Sequence, residues 1–417
     1  MRVLLFLIAG LNLFSGTLFS QTEFFNYTDV YDLQFATNAS VSPDGNTIIY
    51  NRVQYDIMTD NRYSNLWSIA TDGSNHKPIT SGKNNYSQVI WSPDGKQIAY
   101  TSNEEGKSQI FIRWMDSGTA TSITNLTSAA ANLKWSPDGN ILLFSRQIDE
   151  PMPVIGKLPS PPEGASWAAA AKVIRHVGYK EDGAPIASAE SYTQLFVINV
   201  SGGAPRQITS KKANHSQAQW TPDGKSIVFT ADFKTSSAID INNEYIYRMD
   251  VSSGETEPIV AKRGPYNHMV LSPDGTRIAY AGYVDKFLGY QQPEIHIIDM
   301  EGNQQQVLTE KLDRDPEGLQ WSTDGKSIFF MYDEFGVTKL ANINMDGNLV
   351  NIASGIGGAN IGRPYSGGYF TISKNGKYVY SKTDAQNPAE LVTGHFPTKM
   401  AETQITRLND QLLKARK

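Results

Sequence analysis

Trp91-Ser92-Pro93-Asp94-Gly95, followed by Lys96-Gln97-Ile98-Ala99-Tyr100, reads as a tight corner leading into a pleated strand. Pro presets φ at the first central position of a turn, Asp bonds its own backbone, and Gly accepts the left-handed conformation that returns the chain. The run after the glycine alternates and is rich in β-branched and aromatic residues, the pattern of a strand. The phrase recurs, intact or altered, at Ser42-Pro43-Asp44-Gly45, Trp135-Ser136-Pro137-Asp138-Gly139, Trp220-Thr221-Pro222-Asp223-Gly224, Leu271-Ser272-Pro273-Asp274-Gly275, Trp321-Ser322-Thr323-Asp324-Gly325 and Ile372-Ser373-Lys374-Asn375-Gly376. Seven copies at a spacing of about fifty residues mark a repeat architecture.

Further strands surround each corner. A third is expected at Leu66-Trp67-Ser68-Ile69, Gln109-Ile110-Phe111-Ile112, Gln194-Leu195-Phe196-Val197, Tyr245-Ile246-Tyr247 and Glu294-Ile295-His296-Ile297. A fourth is marked by Pro78-Ile79-Thr80, Ser122-Ile123-Thr124, Gln207-Ile208-Thr209 and Val307-Leu308-Thr309. Four short antiparallel strands make one propeller blade. The expectation is an all-β, seven-bladed β-propeller, and 417 residues leave room for a few insertions but no second domain.

The interval between Asp138 and Asp223 is longer than the others, and its surplus falls between the second and third strands of blade 3, at 147–191. The insertion opens with Pro151, Pro153, Pro159, Pro161 and Pro162, then passes through Trp167 and four alanines into Lys172-Val173-Ile174-Arg175. Two readings of it stand: a solvated crossover covering a blade edge, or a loop that contacts a partner domain or substrate.

Residues 1–20 have one Arg near the start, an apolar core from Val3 to Phe14 and small residues before Gln21, the layout of a secretory signal. The run is too short and interrupted for a stable membrane span, so an exported chain, periplasmic or secreted, is expected. A formal charge of −5 with 40% apolar residues gives no nucleic-acid footprint. Cysteine is absent, which removes disulfides, thiolate metal sites, a cysteine nucleophile and a lipidated cysteine together. The sequence leaves self-association open.

A search for chemistry returns no catalytic residue, no cofactor and no metal. The string nearest to a nucleophile elbow, Gly362-Arg363-Pro364-Tyr365-Ser366-Gly367-Gly368, carries Pro364 in place of the first glycine, so Ser366 reads as part of a turn. The histidines at 76, 176, 215, 268, 296 and 395 form no helical pair with metal-ligand neighbours. Asp313-Arg314-Asp315 and Asp72-Gly73 lack the stepped carboxylates of a calcium loop. Gly355, Gly357 and Gly358 are not followed by the Lys-Ser/Thr pair of a phosphate loop. Trp91, Trp135, Trp220 and Trp321 sit at equivalent repeat positions, which favours packing between blades over a ligand platform. Binding residues are not assignable at this level.

The order Asp56-Ile57-Met58-Thr59-Asp60-Asn61-Arg62-Tyr63, Gln109 to Asp116, Lys172 to Gly183 and Gly203-Ala204-Pro205-Arg206-Gln207-Ile208-Thr209 resembles the amino-terminal propeller of bacterial serine peptidases of the prolyl oligopeptidase family, in the acylaminoacyl-peptidase and dipeptidyl-peptidase branch. The resemblance runs from Tyr27 to the end, and Arg407-Leu408-Asn409-Asp410-Gln411-Leu412-Leu413 is similar to the segment that closes the last blade there. It implies a propeller at 27–413, with 414–417 the start of a linker to an α/β-hydrolase domain that carries the family's Ser, Asp and His. No triad residue maps onto this chain, so it is expected to be inactive by itself and to gate access to an active site. Its expected partners are a peptide substrate or that hydrolase domain. The corners also resemble those of free-standing TolB-like propellers, and the alternative is such a module binding a protein or peptide in the periplasm.

Overall fold

A computed structural model describes residues 24–151, 159–168, 191–233, 242–358, 367–397 and 402–416. The segment expected as a signal, Ser366 and most of the insertion at 147–191 lie outside these residues. The chain is all-β as expected: among the described residues the helical turns are a 3-10 turn at Asp29–Tyr31 and a short helix at Asp410–Ala415.

Blade 1 pairs Phe35–Val41, Thr47–Asp56, Asn61–Ala70 and Lys77–Pro78 as an antiparallel meander. The pattern repeats, with first strands at Tyr86–Trp91, Ala131–Trp135, His215–Trp220, Tyr266–Leu271, Glu317–Trp321 and Phe370–Ile372. The last two units merge into one eight-stranded sheet through a single bridge, Ile356 to Lys382. The glycine cluster enables it: Gly357 N–H donates to the Ser381 carbonyl at 3.2 Å, and Thr383 N–H to the Gly355 carbonyl at 3.0 Å. A Cβ on Gly358 would sit 2.5 Å from the Thr383 side chain and 2.9 Å from the Ala389 backbone nitrogen, and its φ is +77°, so a residue without a side chain fits there.

The core is distributed between blades. Each buried cluster draws on two neighbouring sheets: Ile49 and Leu66 of blade 1 meet Ile98 and Tyr100 of blade 2, and the series continues round to Ile48 and Tyr50 of blade 1 against Val379 and Leu391 of blade 7. Ile48 and Ile49, adjacent in sequence, therefore serve different clusters. This corrects the reading of the second strands as alternating: they are buried on both faces, so Ile98-Ala99-Tyr100 and Ile227-Val228-Phe229 are apolar at every position. The fourth strands also differ from expectation. They end as the Ile-Thr pairs begin, because the threonine hydroxyl takes over from a backbone carbonyl: Leu66, Ile110, Leu195, Ile295 and Leu391 N–H donate to Thr80, Thr124, Thr209, Thr309 and Thr406 Oγ1 at 2.8 to 2.9 Å.

The corners interlock. In blade 2, Ser92 Oγ donates to Asp94 Oδ1 at 2.6 Å and accepts the Gln97 N–H at 2.9 Å, while Gly95 has φ +72°. A Cβ on Gly95 would touch Pro43 of the preceding corner at 3.5 Å, and Gly139, Gly224 and Gly325 face Pro93, Pro137 and Pro273 in the same way. The altered corners carry the series onward by hydrogen bonds instead. Thr323 Oγ1 donates to the Lys374 carbonyl at 2.9 Å, and Asn375 Nδ2 donates to the Asp44 carbonyl of blade 1 at 3.0 Å.

Blades 1 and 7 meet without sharing a strand. Their seam is closed by the apolar cluster above, by the Ala36 N–H donating to the Ala389 carbonyl at 3.1 Å, by Lys377 Nζ on Thr71 Oγ1 at 2.9 Å, and by reciprocal bonds of 2.8 Å between Asn409 and the Gln34 backbone. Residues 414–416, expected as the start of a linker, fold back here: Arg416 holds Asp29 through two bonds of 2.8 and 2.9 Å.

Candidate functional site

Every first strand ends at a corner, so the corners define one face of the ring. The hairpins between second and third strands, the crossings from blade to blade and both described chain ends lie on the opposite, loop face. The insertion also leaves from the loop face: its flanking strands, Ile141–Asp149 and Ser191–Asn199, stay in register up to the Asp149–Ser191 pair.

The loop face carries unusual apolar exposure. Phe24, Phe25 and Tyr27 precede blade 1; Ile57 and Met58 tip its hairpin; Val284, Phe287, Leu288 and Tyr290 occupy the hairpin of blade 5; Phe335 and Val337 occupy that of blade 6, and Trp167 lies in the insertion. Phe335 is 91% and Met58 83% exposed, which no packing need within one propeller explains. Several of these rings are held in place from below. Arg263 pairs with Asp285 at 3.0 Å and lies 4.6 Å from the Phe287 ring centre; Arg314 stands 5.8 Å from Phe335, and Tyr290 donates to Asp315 at 3.0 Å. Asp313-Arg314-Asp315 is thus an aromatic support, and the backbone N–H of Phe287, helped by Arg263, holds the Asp285 carboxyl below its usual range.

The inner wall has its own repeat. Four residues before the corner hydroxyl, Asn38, Gln88, Asn132, Gln217, His268 and Gly318 all adopt φ between +50° and +63°, and the strand register slips there in blade after blade. The left-handed region costs a side chain energy, least for Asn and Gly. Gln88 and Gln217 turn it to use as ties between blades, bonding Ala130 in blade 3 and Tyr266 with Met269 in blade 5. Asn38, Asn132 and His268 are exposed. Desolvation holds the His268 ring below its usual pKa against the pull of the Glu317 carboxylate. The signal for this layer, a polar residue at a fixed distance before each corner, was present in the sequence but crossed residue types.

Three further histidines among the described residues are packed structurally. His76 sits on Tyr50 and Trp67, His215 among Phe229 and Phe233, and His296 stacks on Tyr280 with Nε2 3.1 Å from the Gly282 carbonyl. The tryptophans bind the neighbouring blade: Trp91, Trp135 and Trp321 Nε1 donate to the Ser40, Ile90 and Val270 carbonyls at 3.0, 3.4 and 3.1 Å. Among the described residues no three metal-ligating side chains converge, and no helix is long and apolar enough to cross a membrane.

Comparison with known proteins follows the same outline. The sequence matches the TolB beta propeller domain (PD40) over residues 28–158 and 179–348. The chain belongs to this family. Among curated proteins the propeller is 29% identical over 220 residues to the uncharacterized peptidase YuxL of Bacillus subtilis, spanning 52% of this chain and 33% of that protein. It is 25% identical over 327 residues to dipeptidyl-peptidase 5 of Porphyromonas gingivalis, spanning 75% of this chain and 47% of the relative. The propeller thus spans less than half the length of these two relatives. Among solved structures it shares the fold of an acylaminoacyl peptidase from Pyrococcus horikoshii, with a TM-score of 0.67 at 18% identity over 92% of this chain and 54% of that one.

Proposed function

We propose that this propeller is the non-catalytic, substrate-admitting part of an exported serine peptidase of the prolyl oligopeptidase family, with an α/β-hydrolase domain seated on its loop face and oligopeptides as substrate. The observation that carries this reading is the concentration of exposed aromatic and aliphatic side chains on the one face where both described chain ends emerge. A rigid ring whose loops bear such a surface is suited to cover a second domain, and the similarity to a longer peptidase, 47% of whose length is matched, supplies its kind. Among the described residues no nucleophile, base and oxyanion pocket lie within mutual reach, and this reading assigns bond cleavage to that partner.

The coding DNA beyond Lys417 tests the reading. A frame of a few hundred residues with Gly-x-Ser-x-Gly followed by Asp and His supports it. A stop codon with no such frame favours a free-standing TolB-like propeller that binds a protein or peptide.

A further inference from the structure

The first strands of the seven blades surround the central axis, each neighbouring the next. Histidines aside, their residues carry only two charges, Lys134 in blade 3 and Glu317 in blade 6. Glu317 begins its strand and so lies at the loop-face mouth. Lys134 is the fourth residue of Ala131–Trp135, about 10 Å further toward the corners at the usual rise of a strand. At its level the other blades present Ser40, Ile90, Gln219, Val270, Gln320 and Thr371, all neutral. Lys134 is exposed to solvent, yet no carboxylate pairs with it among the described residues. Its strand is an inner one, flanked by the first strands of blades 2 and 4, and surrounding protein desolvates the ammonium and lowers its pKa.

We propose that Lys134 anchors the terminal carboxylate of an oligopeptide lying in the channel. An unpaired cation that has lost part of its hydration gains most from a charged acceptor, and a carboxylate matches an ammonium donor. The two charges also set a direction. Glu317 at the mouth attracts the amino end and Lys134 deeper in attracts the carboxylate, so the peptide presents its amino terminus to the loop face. The inference rests on the gate reading above and adds a substrate class to it: short peptides with a free carboxyl end.

Calorimetric titration of the full chain at low salt, with a five-residue peptide ending in a free carboxylate and with its carboxyl-terminal amide, tests this. The acid is expected to bind about tenfold more tightly than the amide, the worth of one charge-assisted hydrogen bond. Lys134→Met should erase the difference, Lys134→Arg should retain it, and Lys374→Met on the corner face should leave it unchanged; equal melting temperatures show that each variant is folded. Equal binding of acid and amide by the unaltered chain, or a preference that survives Lys134→Met, overturns the anchor while leaving the gate reading intact. Inorganic phosphate competing as strongly as the peptide acid makes Lys134 a general anion site and overturns the peptide assignment. Binding of neither peptide sinks the anchor together with peptide admission by the isolated propeller.

Discussion

Trp321 and Trp220 hold the same place in the repeat, but their indole N–H groups differ in fate: Trp321 Nε1 donates to the Val270 carbonyl at 3.1 Å, while buried Trp220 Nε1 has no partner among the described residues. Trp321→Phe strands a carbonyl and removes a ring that Arg277 approaches to 4.9 Å. Trp220→Phe removes an unsatisfied donor. The first should therefore cost about 1–2 kcal/mol more than the second, read as the difference in urea midpoints. Asn375 makes a similar point at the seam. Its Oδ1 does the work of the corner aspartate, accepting the Ser373 hydroxyl at 2.5 Å, and its Nδ2 reaches the Asp44 carbonyl. Asn375→Asp restores the repeat consensus yet sets an oxygen against that carbonyl, so a loss of about 1–2 kcal/mol is expected in the same assay. Glu390 is the titrating case. It occupies the place that Gln109 and Gln194 hold in blades 2 and 3, accepting the Thr406 hydroxyl at 2.5 Å and the Leu408 N–H at 2.7 Å. Burial raises its pKa. A carboxyl whose folded pKa exceeds the unfolded value favours folding at low pH, and that contribution falls from about pH 4.5 upward through the folded pKa. Glu390→Gln should remove this part of the pH dependence and match or exceed the parent's melting temperature at pH 8, whereas a lower melting temperature there would refute the account.

Blades are the units that fold or fail. Because each buried cluster is shared between neighbours, removing residues 373–417 exposes blade 6 at Met331 and Leu340 and blade 1 at Ile48 and Tyr50. That deletion is expected to yield insoluble protein on fractionation of the expressed chain. Shortening Pro151 to Pro162 should leave solubility and melting nearly unchanged, since the strands on either side pair fully without the loop. The opposite pattern would contradict the blade boundaries. Corners and third strands were legible because turn chemistry is local: Pro, Asp and Gly act on their own backbone. The inner-wall bulges were harder to see, because Asn38, Gln88, His268 and Gly318 share a backbone conformation and not a chemistry. Burial on both faces was hidden for another reason. An apolar run states that a strand is covered, but not from how many sides.

As a whole molecule the propeller is a ring closed without a shared strand, by side-chain contacts and a backbone hydrogen bond, with an apolar loop face and no bond-breaking constellation among the described residues. The purified chain should release no product from dipeptidyl or N-acyl-aminoacyl anilides. Turnover that vanishes in Ser366→Ala would expose a nucleophile and defeat the gate reading. Sequence alone determined the all-β class, the repeat of about fifty residues and the inter-blade role of the tryptophans, since periodicity and turn preference are properties of short stretches. Only the tertiary structure decided how the ends meet, which loops share a face and that Lys134, on an inner strand, is exposed. Those facts depend on contacts between residues hundreds of positions apart, such as Asn409 with Gln34, and no local pattern encodes which blade a side chain will face once the ring has closed.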